Sequence, residues 1–391
     1  MSKEDKEAHT KTTFERAIED RAPSKGSVTA RAEQVARETG KLNPLVDPSQ
    51  FGVIRRSLPR FVALPGGFWR MAIGTPIPVK TRIDTTGSMG GNVDIALRVL
   101  PYNWEMVNLV LSRYDVQMAT GIFGDISDHF VICDPQFEMD AKKIVDQIMM
   151  LVPERAGGDT PEDPHYGLFG AAYLTAAYIN RIELEGYDFT VSDAPARDRL
   201  LKGQLIRIFG DEVFARVEEN GFMIDPNNLP TTVEVVQDLL KISHAFFIQI
   251  NQASETRQFW TEVFGEERVV FAPRTELLPQ IQTAIIGLTE GTLELDGIVE
   301  SLMEKTMICK GRDRDNKPIL ERVDRTDAKL VMRAVSGIPI GAQAALPNFD
   351  RIAIKDDIFR NKTDLWPMTA EEVAAEVELP EEDGKAIKWV V

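Results

Sequence analysis

From about Gly74 to Leu288 short apolar runs alternate with amphipathic stretches, the pattern of a parallel α/β sheet. Ile77–Asp84, Val116–Phe123, His129–Cys133, Tyr187–Ser192, His244–Ile250 and Arg268–Ala272 read as strands. Between them, helices are expected over Asn92–Leu111, Asp140–Leu151, Pro161–Ile182 and Thr275–Leu288. About fifty residues separate Ser192 from the strand at His244, long for one crossover. Part of that stretch, about 197–241, is therefore an insertion, with helix-like segments at Arg199–Phe209, Asp211–Asn220 and Thr231–Lys241.

The flanks have a different texture. Residues 1–48 are polar and charged without a sustained apolar stripe, so this arm cannot fold alone, although Ser27–Glu38 has helical character. Phe51–Met71 is apolar but broken by Pro59, Pro65 and Gly66-Gly67, an irregular lead-in that brings the first unit to residues 1–73. A main domain over 74–290 follows, then an extension over 291–391 in which Thr292–Thr306 is helical and Cys309–Arg322 is a polar loop. The tail from Glu371 carries 7 acids against 2 lysines.

Composition narrows the function. The 391 residues include 45 Lys and Arg against 61 Asp and Glu, a formal net charge of -16 that disfavours a nucleic-acid partner. Cys133 and Cys309 are too few for a disulfide framework. The N-terminus lacks the apolar core of a signal peptide, and the longest apolar run, Leu168–Ile179, is too short to span a bilayer. The expectation is a cytoplasmic protein with no membrane contact.

Candidate chemistry gathers in three loops. Asp84-Thr85-Thr86-Gly87-Ser88-Met89 lies where a strand gives way to a helix, the crest at which doubly wound sheets bind ligands. A carboxylate and two hydroxyls at alternate positions of a tight turn can converge on one point, and hard oxygen donors suit Mg²⁺. Gly157-Gly158-Asp159-Thr160-Pro161-Glu162-Asp163 opens a later helix, and Ser192-Asp193-Ala194-Pro195 ends a later strand. All three fall at one edge of the expected sheet. Alone, Thr160-Pro161-Glu162-Asp163 is also a good helix N-terminus with Pro161 at the first helical position, and Asp159 is an alternative to Thr160 as ligand.

These residues resemble the von Willebrand factor type A domain and its metal-ion-dependent adhesion site, whose pattern is D-x-S/T-x-S, then a Thr, then an Asp. The matching positions are Asp84, Thr86 and Ser88, then Thr160, then Asp193. The resemblance implies a Rossmann-like, doubly wound, mostly parallel sheet and a site for Mg²⁺ or Mn²⁺. It further implies a protein-binding module in which an acidic residue of the partner completes the metal's shell. Family analogy offers a AAA+ ATPase of the MoxR kind, or a neighbouring subunit of a homo-oligomer, as that partner. Lys80 and Arg82 depart from the family's apolar central strand and require either an exposed face or a local charge partner.

Two other readings stand beside this one. A metal-dependent hydrolase or phosphoryl-transfer enzyme would need a general base, and none is evident near Asp84, Asp159 and Asp193. A structural component with a vacant site would not need the hydroxyls. Asp125 and Asp128 read as turn residues, Cys133 as core, and His129, His165 and His244 as structural.

Overall fold

The computed structural model describes residues 27–50, 54–64, 68–71, 75–155, 157, 160–312, 318–352, 358–359 and 366–367. Its centre is a six-stranded sheet of β1 (Pro76–Asp84), β2 (Asp115–Phe123), β3 (Ile132–Cys133), β4 (Gly186–Ser192), β5 (Ser243–Ile250) and β6 (Val269–Ala272). The strand order is β6-β5-β4-β1-β2-β3. All neighbours are parallel except β3, which pairs antiparallel with β2. Helices cover both faces, so the fold is the expected Rossmann-like, doubly wound α/β class.

Every residue of β1, β2, β4 and β5 is buried, as two-sided coverage demands. On one face Ile77, Val79, Ile83, Phe189 and Ile248 pack with Val93 and Leu97 of α1 (Asn92–Val99), Val107 of α2 (Asn103–Val110) and Ile281 and Ile285 of α9 (Leu278–Glu290). The first two were expected as one helix. Pro101, which lacks an amide hydrogen and crowds the preceding turn, breaks it into a 3-10 turn at Leu100–Tyr102. Ile144, Val145 and Ile148 of α3 (Ala141–Met149) join the same core.

The opposite face packs under α4 (Pro164–Tyr173) and the insertion, which forms α5 (Lys202–Phe209), α6 (Val213–Glu219) and α7 (Thr232–Leu239). Thr231 and Glu234 form a reciprocal capping box at the start of α7. Leu205, Phe209, Val213, Val235 and Leu239 meet Tyr166, Phe169 and Tyr173 there. Trp260 of α8 (Ser254–Phe264) stacks on Phe247 at 4.4 Å between ring centres. The insertion is thus part of the core layer.

Two expectations are corrected, and the helical character read at Ser27–Glu38 is met by a helix over Ala30–Thr39. The helix read over Pro161–Ile182 spans only Pro164–Tyr173, and Thr175–Ala177 pairs in parallel with Arg55–Ser57. The reason is tertiary: Leu174 O accepts from Arg55 N, and Asn220 Nδ2 donates to Tyr173 O and Thr175 O. The polar stretch Cys309–Arg322 forms an antiparallel hairpin of Met307–Arg312 and Pro318–Arg322, anchored by Lys310 Nζ 2.9 Å from Asp327 Oδ2. In the arm, residues 27–50 carry the helix Ala30–Thr39 and bury Val28, Ala36 and Val46 against the main core. The rest of the arm, residues 1–26, and the acidic tail lie outside the described residues.

Lys80 and Arg82 find charge partners within the core. Lys80 Nζ lies 2.6 Å from Asp134 Oδ1, and Arg82 pairs with Asp188 on β4. Arg55 Nε approaches Asp134 Oδ2 at 3.6 Å and donates to its carbonyl at 2.8 Å.

At the opposite end of the sheet from the crest, Glu290 is buried and accepts from Tyr187 Oη at 2.7 Å and Tyr114 Oη at 3.1 Å. Burial pushes its carboxyl up to about 7, against the pull of the two tyrosines, Arg113 and Gln343. Below about pH 4.3 the group is protonated folded or unfolded and has no effect. Between there and 7 the folded chain keeps a proton that the unfolded chain releases, so stability falls as pH rises through that window. We expect Glu290→Gln to remove this slope and to be more stable than wild type by about 1–3 kcal/mol at pH 8, with little difference at pH 4. Urea unfolding at the two pH values checks this; equal gains at both would refute it.

Candidate metal centre

β1 and β4 are adjacent strands whose connections leave toward opposite faces, and their carboxyl ends form a topological switch point. Asp84 closes β1 and Ser192 closes β4. Asp84 is fully buried: its Oδ1 accepts from Thr86 N at 2.8 Å and its Oδ2 from Ser192 Oγ at 2.5 Å. The next residues turn tightly through the 3-10 segment Gly87–Met89, which brings Thr86 and Ser88 to the same side, 3.2 Å apart at their hydroxyls. The second loop runs directly over this turn. A Cβ on Gly157, whose φ is +92°, would meet Asp125 Cβ at 3.2 Å and Thr86 at 3.5 Å. The left-handed φ favours glycine there, and the close approach adds to that preference.

Asp193 completes the site from the third loop, its Oδ1 accepting from Ser88 Oγ at 2.8 Å. Its position is fixed from behind, because Asn251 Nδ2 donates to Asp193 Oδ2 at 3.1 Å and Thr256 Oγ1 to its carbonyl at 2.9 Å. Trp260 Nε1 holds the following carbonyl, that of Ala194, at 2.9 Å. Asn251 adopts φ +73°, a left-handed conformation that Asn tolerates better than most residues.

Of the five expected site residues, Asp84, Thr86, Ser88 and Asp193 converge. Thr160 is exposed at the rim, and the side chain that meets the hydroxyls from the second loop is Glu162. Asp159 lies outside the described residues. Glu162 is buried, with Oε2 at 2.8 Å from Thr86 Oγ1 and Oε1 at 3.3 Å from Ser88 Oγ. The helix-start reading of this loop is corrected too, since α4 begins at Pro164 with Asp163 at the N-cap position. Glu162 is drawn away from the helix by the third loop: its N–H donates to Pro195 O and its carbonyl accepts from Arg197 N, each at 2.9 Å. The sequence signal for Glu162 was its place in the same acidic loop; Asn251 carried none.

Oxygens of Asp84, Glu162 and Asp193 lie within 4.8 Å of one another. Burial, then the charge of Asp84, pushes the Glu162 carboxyl well above the usual carboxylate range. Burial also raises Asp193, although Ser88 pulls it down. Among the described residues no Lys, Arg or His forms an ion pair with any of the three. The hydroxyls cannot neutralise the cluster. That of Thr86 lies 2.7 Å from Asp84 Oδ1 and 2.8 Å from Glu162 Oε2 and has one hydrogen to give. A small divalent cation resolves both problems, and opposite ligands of an octahedral Mg²⁺ stand about 4.2 Å apart, which this spacing allows. The donor set, three carboxylates and two hydroxyls, is all oxygen and fits Mg²⁺, Mn²⁺ or Ca²⁺.

Other residues singled out in the sequence lie in a turn or in the core. Asp125 and Asp128 hold each other's turn, with Asp128 N donating to Asp125 O and Asp125 N to Asp128 Oδ2, each at 2.9 Å. His165 is fully buried, 3.9 Å from Asp163, and burial lowers it to about 3. Cys133 is fully buried and its thiol is pushed up to about 12. None of the described helices is long and apolar enough to cross a membrane.

No protein-family model matches the chain, and neither does any curated protein. Among solved structures, the pilus adhesin SpaC from Lactobacillus rhamnosus GG is similar over 59% of this chain and 34% of its own, at 11% identity and a TM-score of 0.38. Proximal thread matrix protein 1 from the mussel byssus, with a zinc-occupied MIDAS motif, is similar over 56% of this chain and 47% of its own, at 12% identity and a TM-score of 0.35. The chain thus spans from about a third to about half of these proteins' length, a likeness too distant to assign it to their family.

Proposed function

We propose that the chain is a divalent-cation-dependent protein-binding module of von Willebrand factor type A kind, working through a site of Asp84, Thr86, Ser88, Glu162 and Asp193. The observation that carries this reading is the convergence of three sequence-distant loops on one oxygen-lined point at the switch point of the sheet. Mg²⁺ or Mn²⁺ bound there offers a partner's acidic side chain a Lewis-acidic anchor at the rim. On this reading Asp84 orients Thr86 through its hydroxyl and amide, and Thr86 and Ser88 face the ion. Asp193 ties the ion to the third loop. A AAA+ ATPase or a second copy of the chain are the partner classes family analogy offers, and binding, not hydrolysis, is the activity.

The test is capture from native lysate on immobilised wild type and Asp84→Ala, each with Mg²⁺ and with EDTA. We expect one protein retained by wild type with Mg²⁺ and lost in the other three conditions. Identical capture in all four would refute cation-dependent binding.

A further inference from the structure

The loop that should leave the ion open to a partner carries a carboxylate of its own. We propose that Glu162 is a resident ligand occupying the position of a partner's acid, so that partner binding proceeds by displacing it. This rests on the cation-binding reading above and specifies how that site is regulated.

Geometry separates Glu162 from the other two acids. Asp84 is engaged at both oxygens by Thr86 and Ser192, which places it behind the hydroxyls as their orienting group. Asp193 and Glu162 both reach Ser88 Oγ, at 2.8 and 3.3 Å, but Asn251 holds the second oxygen of Asp193 while that of Glu162 meets Thr86 Oγ1. Two carboxylates in direct contact neutralise a divalent ion, and the Asp84 charge behind them makes the whole negative. Such an ion has no net attraction left for a further carboxylate. An incoming acid gains a place only when Glu162 gives one up.

Glu162 is also built to stay. Its backbone forms a parallel bridge with Ala196, and its neighbour Asp163 is fully buried, accepting from Ile126 N at 2.7 Å and paired with Arg197. Thr160, two residues earlier, is exposed. The cost of release therefore falls on the Glu162 side chain, which can rotate about its own bonds while the loop remains in place.

Mn²⁺ serves as the probe. Its affinity is read by titration, and the water it carries by solvent proton relaxation, in wild type, Glu162→Gln and Thr160→Ala. Acetate supplies the competing carboxylate. Circular dichroism confirms that each variant is folded. We expect Glu162→Gln to bind Mn²⁺ about tenfold or more weakly, to show higher relaxivity per bound ion, and to lose that excess when acetate is added. Wild type and Thr160→Ala should be alike and indifferent to acetate. If Glu162→Gln matches wild type while Thr160→Ala is weakened, the resident-ligand proposal is overturned and the cation site stands. If wild type takes up no Mn²⁺, both fail.

Discussion

Replacing Asp134 by alanine is expected to cost about 3–5 kcal/mol. Asp134 is the counter-charge for two cations almost without solvent contact: Lys80, in the middle of β1, and Arg55. Removing it leaves the Lys80 charge buried without its ion-pair partner and deprives Arg55 of one of its two nearby acids, the other being Asp47, and desolvating a cation costs far more than losing one exposed ion pair. Burial pushes the Asp134 carboxyl up, but Lys80 and Arg55 outweigh it and hold the group below its ordinary value. Its contribution is therefore complete above the unfolded value of about 3.9 and is lost as pH falls through the lower folded value. The double variant Lys80→Met, Asp134→Asn should lose less than Asp134→Ala, because it removes the largest unpaired charge. Denaturation midpoints at pH 7 decide the matter, and a loss under about 1 kcal/mol in Asp134→Ala would show the pair to be dispensable.

The second large effect is stabilisation by cation. With Mg²⁺ or Mn²⁺ at a hundred times its dissociation constant, the wild-type chain should gain about 2.7 kcal/mol, a rise of several degrees in Tm that EDTA reverses. Asp193→Asn should show almost none of this rise. Without metal the order changes: Asp193→Asn relieves repulsion among three clustered carboxylates and should melt at or above wild type. That crossing of two melting curves distinguishes a cation site from an ordinary polar turn. Parallel responses of the two proteins to Mg²⁺ would mean that the ion acts elsewhere.

The sheet was legible because its strands are short apolar runs with turn residues at their ends, and because β1 and β4 finish in Asp84 and Asp193 loops of recognisable chemistry. What the pattern concealed has physical causes. The run Leu168–Ile179 is apolar but for Thr175, so periodicity cannot tell a helix from a helix followed by a strand; contacts from Arg55 and Asn220 make that choice. Lys80 and Arg82 left open whether β1 is exposed, because their partners Asp134 and Asp188 lie on other strands or loops. Glu162 looked like a first-turn acid at a helix start. It joins the site only because Pro195 and Arg197, more than thirty positions later, take up its backbone groups. Local sequence supplies the donors, and long-range pairing selects among them.

The bridge between Glu162 and Ala196 also joins two regions that sequence keeps apart. Ala196 is the doorstep of the insertion, and Thr232 at the start of its last helix, α7, donates from its amide to Asp198 O at 2.8 Å and from its hydroxyl to Arg197 O. The start of the insertion and the start of its last helix thus sit on the same short rail as Glu162. On the cation-binding reading proposed above, a molecule that grips α5 or α7 and shifts that rail would change the fit of the cation, and the cation would resist the shift by an equal free energy. On the same reading the insertion would be a handle on the metal, and loading the ion would stiffen the handle.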